Sequence, residues 1–268
     1  SQMIRYFPKS IRSLVMPRYR FHSQPHFLDL LDIRLCENLR LIDLRDCVVN
    51  YSSYFKLKNV EQLIMKKVTI ESNSLQKFFI SRKAPLNKLE LDSVNEETDL
   101  TSRIPHWTQL ADLHLETFPI SPQHVEYINP GRLTTLVIDR CESLNREVVL
   151  NLVARAPRLS YISLSHEYIP NITTTRNFKS EIIQANSAVE EIQLGDLEGC
   201  DESTTLGPLQ LKAVSILYPQ LKKLSLGSFY VYQSISVANS FKNLKSLTVS
   251  KVNSQIFFKR YSNYYFYS

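Results

Sequence analysis

An α/β solenoid is the fold class this sequence predicts: a right-handed β-α superhelix of about ten repeats, curved into a horseshoe arc. Three observations predict it. The template L-x-x-L-x-L, with Ile, Val or Met admitted at the leucine places, recurs ten times along the 268 residues. Successive templates start 21 to 32 residues apart, with no long stretch left over. Some intervening segments carry a helical period, as in LNREVVLNLVA, where Leu144, Val148 and Leu152 fall at i, i+4 and i+8.

Templates open at Ile11 (with Leu14 and Met16), Leu39 (Ile42, Leu44), Val60 (Leu63, Met65), Leu86 (Leu89, Leu91) and Leu110 (Leu113, Leu115). They continue at Leu133 (Leu136, Ile138), Leu159 (Ile162, Leu164), Val189 (Ile192, Leu194), Leu221 (Leu224, Leu226) and Leu244 (Leu247, Val249). A mean spacing of about 26 residues lies within the range of leucine-rich repeats. The x-L-x-L-x core alternates with period two, so its leucines share one face of a short strand and the residues between them share the other. One strand and one helix cannot bury their apolar faces alone, whereas stacked copies build a continuous core. A leucine-rich-repeat solenoid is therefore expected over residues 1–252, capped by about the first ten. Residues 253–268 are expected to form an aromatic C-terminal cap or tail. The segment FFKRYSNYYFYS has seven aromatics in twelve residues and would leave an apolar patch if held in water. The two widest spacings leave room for loops, HEYIPNITTTRNF and GDLEGCDESTTLGP.

Composition narrows the function classes. Hydrophobic residues make up 43% and charged residues 22%, enough to bury a core. Only five glycines occur, and neither G-x-G-x-x-G nor a P-loop is present, which disfavours nucleotide-binding folds. No apolar run reaches the ~18 residues of a membrane span, and no signal-peptide core opens the chain. The four cysteines, Cys36, Cys47, Cys141 and Cys200, form no C-x-x-C pair. They read as buried structural thiols in a reducing compartment, the cytoplasm or nucleus. Position 1 is Ser, so the chain is expected to be a piece of a longer protein.

The residues argue against reactive chemistry. The six histidines show no metal-ligand spacing, and no G-x-S-x-G occurs. Carboxylate pairs such as Glu90 and Asp92 sit at alternate strand positions and read as a solvated face before a general acid/base pair. No catalytic residue, metal or cofactor is expected, and the chain reads as no enzyme.

What remains is a surface. Side chains between and just after the leucines point to the expected concave side, giving a polar wall of mixed charge with an acidic stretch from Glu90 through Glu116 to Asp139. Repeat solenoids bind partners on such walls. The candidate protein-binding residues are Arg45, Lys66, Glu90, Asp92, His114, Glu116, Asp139, Arg140, Tyr161 and His166. Charge is also segregated: residues 209–268 contain eight Lys and Arg and no acid. That stretch leaves an acidic partner or nucleic acid open beside plain solvation.

The sixth repeat, LTTLVIDRCESLNREVVLNLVARAPRLSYISL, resembles the cysteine-containing leucine-rich repeats of F-box proteins. Cys141, Leu144, Asn145, Val149, Leu152, Ala156, Pro157 and Leu159 match that family's pattern in order. The run around Cys36 and the Pro-x-Leu at Pro219 to Leu221 resemble the same junction. Other repeats depart at the ninth position, which holds Val68, Val94, Phe118, Glu167, Leu197, Phe229 or Val252. The resemblance implies a substrate receptor of an SCF-type E3 ubiquitin ligase, capturing a target protein for degradation. It also implies a SKP-family adaptor and a cullin as partners, docked through an F-box upstream of this chain. The rival readings are a repeat scaffold outside ubiquitin chemistry, such as a GTPase regulator or complex-assembly subunit, and a nucleic-acid-associated repair or chromatin component. No membrane partner is expected.

Overall fold

A computed structural model describes residues 10–16, 27–29, 38–50, 59–71, 85–94, 105–169, 185–195, 206–230 and 233–253. The expected N-terminal cap, the aromatic tail, Cys36, Cys200 and much of the two long loops lie outside the described residues. Internal contacts divide the chain into two compact units, Ser1–Val148 and Val149–Ser268.

The first unit contains strands β1 (Ser13–Met16), β2 (Phe27–Asp29), β3 (Leu41–Arg45), β4 (Val48–Asn50), β5 (Gln62–Lys66), β6 (Thr69–Glu71), β7 (Lys88–Asp92), β8 (Asp112–Glu116) and β9 (Thr135–Asp139). A short helix α1 (Pro122–Glu126) comes after β8, and helix α2 (Arg146–Ala154) crosses the division. The second unit contains β10 (Tyr161–Leu164), β11 (Glu191–Leu194), helix α3 (Pro208–Leu217), β12 (Lys223–Tyr230), helix α4 (Gln233–Ser240) and β13 (Ser246–Asn253). The main sheet has ten strands in the order β1-β3-β5-β7-β8-β9-β10-β11-β12-β13, and its pairings are parallel. Each strand coincides with one L-x-x-L-x-L template.

The fold expectation is corrected by what joins these strands. A leucine-rich-repeat solenoid wound as a right-handed β-α superhelix into a horseshoe arc needs a helix after each strand. The structure is instead an open, all-parallel ten-stranded sheet with four α-helices among the described residues. After β3 and β5 the chain forms second strands. β4 and β6 pair in parallel with each other, and with β2 they make a separate three-stranded sheet. The residue types explain it: Val48 and Val49, then Thr69 and Ile70, are β-branched and favour extended backbone over helix. The recurring leucines fix where strands start and are silent about the segments between them.

Within the first unit the leucine places stack in register, Leu14 beside Ile42, then Leu63, Leu89, Leu113 and Leu136. From Ile42 onward they are almost wholly buried, Leu89 completely so. Burying such a side chain stabilises by about 1.5–3 kcal/mol. Each strand from β3 to β9 in the main sheet then ends in a residue in the left-handed region: Asp46, Lys67, Ser93, Thr117 and Arg140, with φ between 48 and 52°. The amides of Asp46, Lys67, Ser93 and Thr117 donate to the last carbonyl of the next strand, at 2.8–2.9 Å. This turn breaks the period-two alternation, so the residue after it re-enters the core. Cys47, Val68, Val94, Phe118 and Cys141 are all buried there.

In the second unit the same ladder runs Ile162, Ile192, Leu224, Leu247. Asn186, buried, joins the end of α2 to the next repeat by donating to the carbonyls of Val153 and Ala156.

Candidate protein-binding face

The face opposite the leucines is built by register. Across the first unit the residue just past each strand's last leucine forms a row of Arg45, Lys66, Asp92, Glu116 and Asp139. The residue between the two strand leucines forms a second row of Asp43, Ile64, Glu90, His114 and Val137. Parallel neighbours lie ~4.8 Å apart, so side chains in one row touch across strands.

The charges pair. Arg45 clamps Asp43 with two bonds, from Nε at 2.9 Å and from the guanidinium terminus at 2.8 Å. Glu90 receives Lys66 Nζ at 2.5 Å and lies 3.6 Å from Lys88 Nζ. His114 lies between two carboxylates, with Nδ1 3.3 Å from Glu90 and Nε2 3.5 Å from Glu116. Arg140 completes the line by bonding Glu116 at 2.5 Å and Asp139 at 3.1 Å. Asp92 accepts from the Ser93 hydroxyl at 2.8 Å. Lys66, Lys88, Glu90, His114, Glu116, Arg140 and Asp139 thus form one continuous network over four strands.

Glu90 and Asp43 are buried although they belong to the polar face. Burial alone would push the Glu90 carboxyl up. The hydrogen bonds and charges of His114 and Lys66 outweigh it and hold Glu90 down at about 2.

Eight of the ten sequence-derived candidates are brought together here: Arg45, Lys66, Glu90, Asp92, His114, Glu116, Asp139 and Arg140. Tyr161 and His166 belong to the second unit. Tyr161 donates to Gln193 Oε1 at 3.3 Å, and burial raises its phenol. His166 is exposed in a 3-10 turn after β10. Asp43 and Lys88 fall on the polar wall expected from the sequence but are not among its ten candidates, and the structure adds both to the charged set. Their signal was present, because Asp43 with Arg45, and Lys88 with Glu90, are opposite charges two apart on one strand face.

Burial pushes the Cys47 thiol up to about 11, which disfavours the thiolate. Cys141 is fully buried, its thiol against the carbonyls of Asp139 and Leu115 at 3.5 and 3.6 Å. Among the described residues no group of three or more His, Cys, Asp or Glu could hold a metal ion, and no helix is long and apolar enough to cross a membrane. No family model matches the chain, and no curated protein matches it.

Proposed function

We propose that this chain is a noncatalytic protein-binding module that captures a partner on the charged face of the first unit. The observation that supports this reading most is the register of β3, β5, β7, β8 and β9. It gathers residues as distant in sequence as Arg45 and Arg140 onto one surface. Their mutual bonds hold long side chains in fixed rotamers before a partner arrives, which lowers the ordering cost of binding. The alternation of sign along the network would set partner register and steer encounter. The test is the triple variant Asp92→Lys, Glu116→Lys, Asp139→Lys, compared with wild type in affinity capture from cell extract. The expected outcome is loss of the captured partner while circular dichroism shows the fold retained. Capture that survives the reversal removes this face from the function.

The finer form of the proposal is a substrate receptor of an SCF-type ubiquitin ligase, which presents the captured protein for ubiquitination. It is supported by the residues of the Cys141 repeat, through their resemblance to F-box proteins. Recovery of a SKP-family adaptor and cullin with the full-length protein supports it. Capture of a partner without them favours a scaffold. Binding that falls steeply with salt and depends on residues 209–268 favours nucleic acid.

A further inference from the structure

The charged network of the first unit has one narrow point. Lys66 and Lys88 attend Glu90, at 2.5 Å from Oε1 and 3.6 Å from Oε2. Arg140 attends Glu116 and Asp139, at 2.5 and 3.1 Å. Among the described residues only His114 links these two groups, with Nδ1 3.3 Å from Glu90 and Nε2 3.5 Å from Glu116. Without the ring, one network becomes two. The ring can serve both sides in one protonation state only. A neutral imidazole carries one N–H and one lone pair, whichever tautomer it adopts. With the proton on Nδ1, the Nε2 lone pair meets the Glu116 carboxylate, and with it on Nε2, the Nδ1 lone pair meets Glu90. The doubly protonated ring donates in both directions. The charged groups around it are Lys66 of β5, Lys88, Glu90 and Asp92 of β7, and Asp112 and Glu116 of its own strand. On the β9 side stand Asp139 and Arg140, while the residue directly paired with His114 is the neutral Val137. Imidazole changes charge between about pH 5 and 8, where carboxylates, ammonium and guanidinium groups ordinarily keep theirs.

We infer that His114 is a proton-operated bridge, which joins the two halves of the charged face when both ring nitrogens carry protons and parts them when one proton leaves. The bridge regulates the proposed binding face and rests on that reading for its consequence. In the bridged state Glu90 and Glu116 are each held from a second side, so they have less freedom left to lose when a partner docks. In the unbridged state the lone pair repels one of the two carboxylates, and that side chain leaves the common arrangement. Capture on this face is therefore stronger in mildly acidic solution. Burial sharpens the difference. Glu90 is 8% exposed, so water replaces a lost donor poorly on that side. The His114 side chain is 26% exposed, which leaves it open to proton exchange with solvent.

Nuclear magnetic resonance of the ring nitrogens tests the bridge with no partner present, on the full chain with isotope-labelled histidines. His114→Gln assigns the His114 signal, as does its response to Glu116→Ala, and the exposed His166 is the internal reference. At about pH 5.5 both ring N–H protons of His114 should exchange about tenfold more slowly than those of His166, and at about pH 8 one of them should be gone. Glu116→Ala should speed exchange of the Nε2 proton alone. Ring protons that exchange as fast as those of His166 at the lower pH overturn the bridge. Capture tests the regulation. Its probe is the protein drawn from cell extract by the wild type and lost in the triple charge reversal, measured at both pH values. The wild type should retain about threefold more of it at the lower pH, and His114→Gln should retain equal amounts at both. Equal capture by the wild type at both pH values overturns the regulation and leaves the binding face standing. No capture at either pH takes down the binding reading and the regulation with it, while the ring protons still decide the bridge.

Discussion

Glu90 and His114 face each other across β7 and β8, with Oε1 3.3 Å from Nδ1 and the two residues directly paired in register. Glu90 is the pivot of the charged face, because it meets side chains from strands on both sides: the Lys66 ammonium from β5 and the His114 ring from β8. Its carboxyl sits at about 2 against an ordinary 4.5. A depressed folded-state value favours the folded protein fully above pH 4.5, and the contribution fades as pH falls and is gone below about 2. At ~1.4 kcal/mol per unit, the shift amounts to about 3–4 kcal/mol. Glu90→Gln should therefore lower neutral-pH stability by that order. It should also flatten the loss of stability between pH 4.5 and 2, as read by urea unfolding at a series of pH values.

Asp43 and Arg45 make a separate expectation. The carboxylate is buried while its guanidinium partner is exposed. Removing the cation alone leaves a buried charge with its clamp gone, a cost of about 1–3 kcal/mol. Arg45→Met should be destabilising by that amount, and adding Asp43→Asn should recover most of the loss. A double-mutant cycle by chemical denaturation measures it. An additive result would mean that solvent or another group carries Asp43.

How much of this was legible depends on which residues encode it. The leucines marked all ten strands of the main sheet, because a buried strand position tolerates little besides aliphatic side chains and the pattern repeats. The charged face came from the same alternation, so Lys66, Glu90, Asp92 and Glu116 could be named from spacing alone. The connections could not be read this way. Val48, Val49, Thr69 and Ile70 form short β-branched runs that a search for helical period passes over, and their strands pair with residues about twenty positions away. The left-handed turn was also invisible, since its five positions hold Asp, Lys, Ser, Thr and Arg where the usual sign is glycine or asparagine.

Thr117 is the least suited of those turn residues. It has φ 48°, and a β-branched side chain in that region crowds the backbone. The side chain is exposed. Thr117→Asn should raise stability by about 0.5–1 kcal/mol, and Thr117→Val should not. Paired thermal and urea unfolding would show the difference. Equal stability of the two variants would mean that the strain is relieved locally.

Asn186 offers the sharpest separation of hydrogen bonding from packing. Its Nδ2 donates to Val153 O at 2.8 Å and Ala156 O at 2.9 Å, while its Oδ1 accepts the Ala188 amide at 2.9 Å. Val153 lies in the last turn of α2 and Ala156 just past it, and each carbonyl accepts the Asn186 amide as a second bond beside a backbone N–H at 3.2 Å. Asn186→Ala leaves each carbonyl only its backbone partner, the Ala156 amide on Val153 O and the Leu159 amide on Ala156 O, and should cost about 1–2 kcal/mol for the two bonds lost. Asn186→Asp keeps the shape and the acceptor but turns an oxygen toward two carbonyl oxygens. At neutral pH it should be less stable than the Ala variant, and it should regain stability as acidification restores a donor. Urea midpoints of the three proteins at about pH 7 and about pH 4, either side of protonation for a buried carboxyl, make the comparison. An Asp variant that matches wild type at the higher pH would show that the amide hydrogens do not hold the end of α2.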